Sequence, residues 1–120
     1  MKVSVLAYDG IFDSGLAAVL DVLDTANAMR DGLDSPPPGW ETTTVAPGKR
    51  ARTGAGHIVH AAALDTARDA DLLIVPALNV RGPEELIEFI ESARAAPLRR
   101  LIASARTRCR RECPASARWR

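Results

Sequence analysis

The sequence lacks the features that would assign it quickly, and each absence excludes something. No stretch approaches the roughly 18 apolar residues of a membrane span. Met1-Lys2 leads straight into an apolar stretch, without the long apolar region and cleavage site of a secretory signal. Only two cysteines occur among 120 residues, Cys109 and Cys113, both within the last dozen. A disulfide framework for the body is thereby excluded, and a reducing cytoplasm is the expected setting. Neither sign of charge dominates: 16 basic residues face 15 acidic ones, for a net charge of +1. That balance speaks against a dedicated nucleic-acid or membrane-surface protein. There is no internal repeat. Gly54-x-Gly56 lacks the third glycine of a dinucleotide loop and does not stand between a strand and a helix. His57 and His60 are three apart on an expected strand, so they face opposite sides and make no metal pair. Cys109 and Cys113 have a spacing that zinc tolerates, but no second ligand pair lies nearby. No cofactor and no metal are therefore expected.

What is present is the composition of a folded chain, 47% hydrophobic and 26% charged, at a length that makes one domain with little core to spare. Residues 2–8 read as a buried strand ending at Asp9-Gly10. Residues 14–30 read as a helix, with Asp13 or Ser14 as its N-cap and an apolar stripe through Leu16, Val19, Leu20, Val22, Leu23 and Ala26. The Pro36-Pro37-Pro38 loop separates it from a strand at 40–46. A turn at 47–50, a short strand or hairpin over 53–60 and a helical turn at 64–70 follow. Asp71 to Pro76 is the clearest buried strand, its continuous apolar run suiting a parallel strand covered on both faces. Gly82-Pro83-Glu84-Glu85 opens a second helix with proline and acids in its first turn. Residues 100–104 read as a final buried strand. Alternating strands and helices predict an α/β, flavodoxin-like layered fold, a mostly parallel sheet flanked by helices. Functional groups then collect at the C-terminal strand ends, here Asp9 to Asp13, Pro76 to Arg81 and Ala105 to Thr107.

The order and spacing of several segments carry a resemblance. Val5-Leu6-Ala7-Tyr8-Asp9-Gly10 through Leu16, then Val19-Leu20-Asp21-Val22-Leu23 and Thr25-Ala26-Asn27, open it. Val45-Ala46-Pro47-Gly48, Thr53-Gly54-Ala55-Gly56, Asp71 to Pro76 and Leu101-Ile102-Ala103-Ser104-Ala105 continue it. Across residues 2 to about 107 the chain resembles the sensor half of GlxA-type, AraC-family transcription regulators, a ThiJ/PfpI-like domain of the class I glutamine amidotransferase-like superfamily. The resemblance implies a domain that senses a small-molecule effector and forms a homodimer. DNA would be bound only through a C-terminal helix-turn-helix region absent from this chain, with no role at a membrane. Residues 1–107 would be a partial sensor domain whose C-terminal part is missing, and exposed apolar strand faces would make it poorly soluble or self-associating.

The resemblance also implies a nucleophile that this sequence lacks. The superfamily often places a cysteine on a sharp turn after the strand expected at 100–104, where backbone N–H groups activate it. Arg106 stands there instead, and a guanidinium is no nucleophile. Catalysis is therefore not expected, and a ThiJ/PfpI-type small-molecule hydrolase or hydratase is the alternative. Asp13 stands where the superfamily often places an acid facing the cysteine, although a helix cap is the simpler reading. Effector contacts are expected around Asp9, Asp13, Asn79 and Ala105. From Arg94 onward nine arginines face one acid, Glu112. The segment 108–120 departs from the family pattern and reads as an Arg-rich tail, disordered or translated out of frame.

Overall fold

The computed structural model describes residues 1–112, with side chains through Ala105. Its centre is β1 (Lys2–Leu6), whose Val3, Val5 and Leu6 are almost wholly enclosed. A run of branched apolar residues buried on both faces is what an interior parallel strand requires. β1 pairs in parallel with β2 (Glu41–Ala46) on one side. The strand on the other side is numbered below as β6. The register is fixed at the start of the sheet by Asp71, which accepts the Lys2 N–H at 2.6 Å while its own N–H donates to the Lys2 carbonyl.

Between β1 and β2 runs α1 (Asp13–Met29). Leu16 is buried, and Val19, Leu20 and Leu23 pack half-buried on the core. Val22, expected in the apolar stripe, points outward and is 67% exposed. The end of α1 is tied to the start of β2 by Asn27. Its side-chain amide donates to the Trp40 carbonyl and accepts the Trp40 N–H, and the Trp40 indole donates to the Leu23 carbonyl. Arg30 spans the proline loop by donating to the Pro37 carbonyl.

After β2 a turn at Pro47–Lys49 places Gly48 and then Lys49 at positive φ. It leads into an antiparallel hairpin of β3 (Arg50–Arg52) and β4 (Ile58–His60). The hairpin begins earlier than the sequence indicated, because residues 53–57 form its turn. β5 (Ala62–Ala63) then joins the outer side of β2 in parallel, and a 3-10 segment, Leu64–Asp69, leads to β6 (Leu72–Ile74), which pairs with β1 in parallel. The sheet order is β5-β2-β1-β6, the parallel α/β arrangement expected of a flavodoxin-like fold.

Two of the expected buried strands differ in the structure. The segment 71–76 is not covered on both faces: Leu72 and Val75 are 43% and 48% exposed. As the last strand of the sheet, β6 has a neighbour on one side only. The strand expected at 100–104 is a helix. After α2 (Pro83–Glu91), α3 runs from Ala96 to Glu112. Leu98, Leu101 and Ile102 recur at helical spacing, with Leu98 and Leu101 buried. Pro97 sits in the first turn, where its missing N–H costs nothing. Ala, Leu and Arg are strong helix formers, and that propensity outweighs a four-residue apolar run. The backbone at 108–112 continues α3, so the boundary drawn at 107 falls inside a helix. Residues 113–120 of the expected tail lie outside the described residues.

Candidate functional site at the strand tips

The loop after β1 is fastened on both sides. Gly10, at φ 88°, lets the chain reverse where an L side chain would be strained. The Gly10 N–H donates to the Arg52 carbonyl, and the Gly54 N–H donates to the Ile11 carbonyl. On the opposite side, the Asn79 N–H donates to the Gly10 carbonyl and the Phe12 N–H to the Ala77 carbonyl. Ile11 is fully buried beneath this stitching. Three segments far apart in sequence, residues 9–13, 52–57 and 77–79, thus meet at the C-terminal end of the parallel strands. Ligands commonly bind at this end of such sheets.

Asp13 is the centre of one side. Its carboxylate accepts the Thr53 hydroxyl at 2.7 Å and the Ala55 N–H at 3.1 Å, and lies 2.6 Å from His57 Nδ1. Hydrogen bonds from Thr53 and His57, with a smaller one from Ala55, lower its pKa to about 2. The expected capping role is not what its side chain does: the N-cap position is Phe12, and no side chain caps the helix. Asp13 instead organises the hairpin turn. Thr53, nearly buried, relays the contact by accepting the His57 N–H at 2.9 Å. This His57 partnership was not legible from strand spacing against His60, which says nothing about a partner 44 residues away. An acid at position 13 with a Thr-Gly-x-Gly-His turn was the signal that could have found it.

Asp9 is the centre of the other side. It accepts the Arg52 N–H at 2.9 Å and the Arg94 guanidinium at 2.6 Å. The Arg52 N–H is the largest cause holding its carboxyl below the usual range, with Arg94 and Arg50 adding to it. Asn79 lies against the hairpin: a β-carbon on Gly54 would stand 2.5 Å from its Nδ2, so glycine is required for that approach. Asp9, Asp13 and Asn79 thus each lie on a segment that meets the 52–57 turn, Asp13 on one side of it and Asp9 on the other. Ala105 does not belong to a strand tip, because it is half-buried within α3. Arg106, likewise, falls within the helical backbone and not on a strand-to-helix turn.

Beneath the tips, Tyr8 donates its hydroxyl to the Pro76 carbonyl, and its ring centroid lies 5.9 Å from that of Phe89. Burial raises the Tyr8 pKa. An apolar cavity of about 440 Å³ opens beside this pair. A polar one of about 530 Å³ lies between Asp9, Arg50, Arg52 and Ile58. Among the described residues no group of His, Cys, Asp and Glu is arranged to hold a metal ion.

The same architecture occurs in solved structures. An AraC family transcriptional regulator from Pseudomonas putida aligns over 87% of this chain, with a TM-score of 0.56 and 23% identity. The chain has the fold of these regulators and of DJ-1. A protein assigned as a transcriptional regulator from Vibrio parahaemolyticus aligns over 86%, with a TM-score of 0.58 and 22% identity. Oxidised DJ-1 from Toxoplasma gondii aligns over 89%, with a TM-score of 0.58 and 15% identity. The chain spans about half the length of each, 51%, 51% and 50%. No protein-family profile and no curated protein matches the sequence. Among the described residues, no helix is long and apolar enough to cross a membrane.

Proposed function

We propose that these residues form the effector-sensing and dimerising part of an AraC-type transcription regulator. One observation carries the reading: the loops 9–13, 52–57 and 77–79 meet at the C-terminal end of a parallel sheet, where ligands commonly bind, in a fold shared with a P. putida regulator of that type. In this reading residues 1–107 are the sensor unit, and DNA is contacted by a segment outside these 120 residues. The segment 108–120 takes no part in sensing. In this reading the role is binding without catalysis: the two cysteines, Cys109 and Cys113, lie outside the strand-tip segments 9–13, 52–57 and 77–79. The competing reading, a small-molecule hydrolase or hydratase, draws on the fold shared with DJ-1.

A thermal-shift survey of small metabolites separates the two. A sensed effector stabilises the chain saturably, by about 2.7 kcal/mol at a hundredfold excess over Kd, and is recovered unchanged. Fusion of the chain to an AraC-type DNA-binding unit then makes a reporter respond to that effector. Chemical conversion of the stabilising compound would instead support the enzyme.

A further inference from the structure

Two cavities meet at one wall. The smaller, of about 90 Å³, is bounded by Asp9, Arg50 and Arg94 on its polar side and by Tyr8, Phe89 and Leu98 on its apolar side. The same Tyr8, Phe89 and Leu98 also line the apolar cavity of about 440 Å³, which extends past Val75, Leu86 and Ile102. The Tyr8, Phe89 and Leu98 side chains therefore stand between the two cavities and give the smaller one an apolar side facing its two guanidinium groups. Arg50 is exposed and, among the described residues, makes no ion pair, while Arg94 is held by Asp9 alone. The local balance is two cations against one carboxylate. The turn at Gly48 and Lys49, both at positive φ, swings the chain so that Arg50 reaches this wall.

We infer that this wall binds a small carboxylic acid with an apolar stem, its carboxylate between Arg50 and Arg94 and its stem against the apolar side formed by Tyr8, Phe89 and Leu98. The inference rests on the strand tips being the effector end and names the chemical class taken there. A carboxylate is the group the arginine pair already accepts, since Asp9 occupies Arg94 at 2.6 Å. Guanidinium and carboxylate match in a two-pronged geometry. The Asp9–Arg94 pair is exchangeable, because both side chains are substantially open to solvent, 49% and 75% exposed, and such pairs have little net worth. Asp9 is thus an internal competitor for Arg94, and the bound carboxylate displaces it.

The probes are hexanoate, acetate and 1-hexanol, titrated into the 120-residue chain by calorimetry, with circular dichroism confirming that each variant folds. Hexanoate binds once per chain. Affinity falls roughly three- to fourfold for each methylene removed from the buried stem, so acetate is far weaker. Hexanol, lacking the charge, is weaker than hexanoate. Arg94→Gln and Arg50→Gln each weaken hexanoate by about fivefold or more, the scale of a lost hydrogen bond to a charged group. Arg68→Gln, which breaks an exposed pair with Asp65, changes nothing. Asp9→Asn keeps the acceptor for the Arg52 N–H but removes the competing charge, and strengthens binding by up to about fivefold. A purely structural Asp9 would give no such gain. Absence of saturation with hexanoate, equal binding of hexanol, or weaker binding in Asp9→Asn overturns the inference. If another metabolite stabilises the chain while hexanoate is silent, the sensor reading survives and this one fails. If hexanoate binds but never affects the reporter, the site stands and the sensor reading fails.

Discussion

At the scale of single residues, the two aspartates of the first loop share one backbone turn and do different work. Asp13 gathers a hydroxyl, a backbone N–H and an imidazole on one carboxylate, all of which favour its ionised form. Its pKa in the fold is about 2, below the ordinary value of about 3.9. The stabilisation this represents is therefore complete above about pH 4 and is lost as the pH falls toward 2. Asp13→Asn is expected to lower stability at pH 7, with the gap to the parent chain closing as the pH drops through that window. Urea denaturation at a series of pH values checks this, and a gap independent of pH would mean that the charge contributes nothing. The position of Asp13 was legible in the sequence. Its role was not, because a capping acid and an acid bridging to a distant hairpin look alike until residues 13, 53 and 57 are folded together.

At the scale of elements, the loop after β1 is held by main-chain bonds to two other segments, with Ile11 as the buried pin beneath them. Ile11→Ala is expected to cost about 2–5 kcal/mol, the range for removing a buried aliphatic side chain, measured by chemical denaturation. It should also loosen the Asp9 and Asp13 sites together. β1, β2 and α2 were legible because each combines an apolar pattern with its own boundary signal, Gly10 and Pro47 after the strands and Pro83 at the start of the helix, and α1 was legible from its apolar stripe. The segment 100–104 misled for a physical reason. Leu101-Ile102-Ala103 is too short to show a period, and only the flanking Pro97-Leu98-Arg99-Arg100 reveals the helical stripe. The consequence reaches the site, since Ala105 left the strand tips when its strand became helix.

At the scale of the whole molecule, the sheet ends at β6, and apolar side chains near that edge are open to solvent: Leu72, Val75 and Ile90 are 43%, 48% and 44% exposed. An exposed strand edge with apolar neighbours favours association with another chain. Sedimentation velocity over a range of concentrations is expected to show association, and Val75→Lys, which places a charge at this edge, to reduce it. A monomer with a sharp, concentration-independent melting transition would count against this.

The sequence by itself determined the layered α/β class, the parallel strands β1 and β2, the helices α1 and α2, and the place of Asp9 and Asp13 in the loop after the first strand. These follow from local period, turn residues and the place of strand ends, which are properties of neighbouring residues. Only the tertiary structure decided that β6 is an edge, that 96–112 is one helix, that His57 joins Asp13, and that Arg50 and Arg94 flank Asp9. The pairings of His57 with Asp13 and of Arg94 with Asp9 join residues 44 and 85 apart in the chain. Side chains so distant meet only when the sheet order is set, and that order follows from how the buried surfaces pack together.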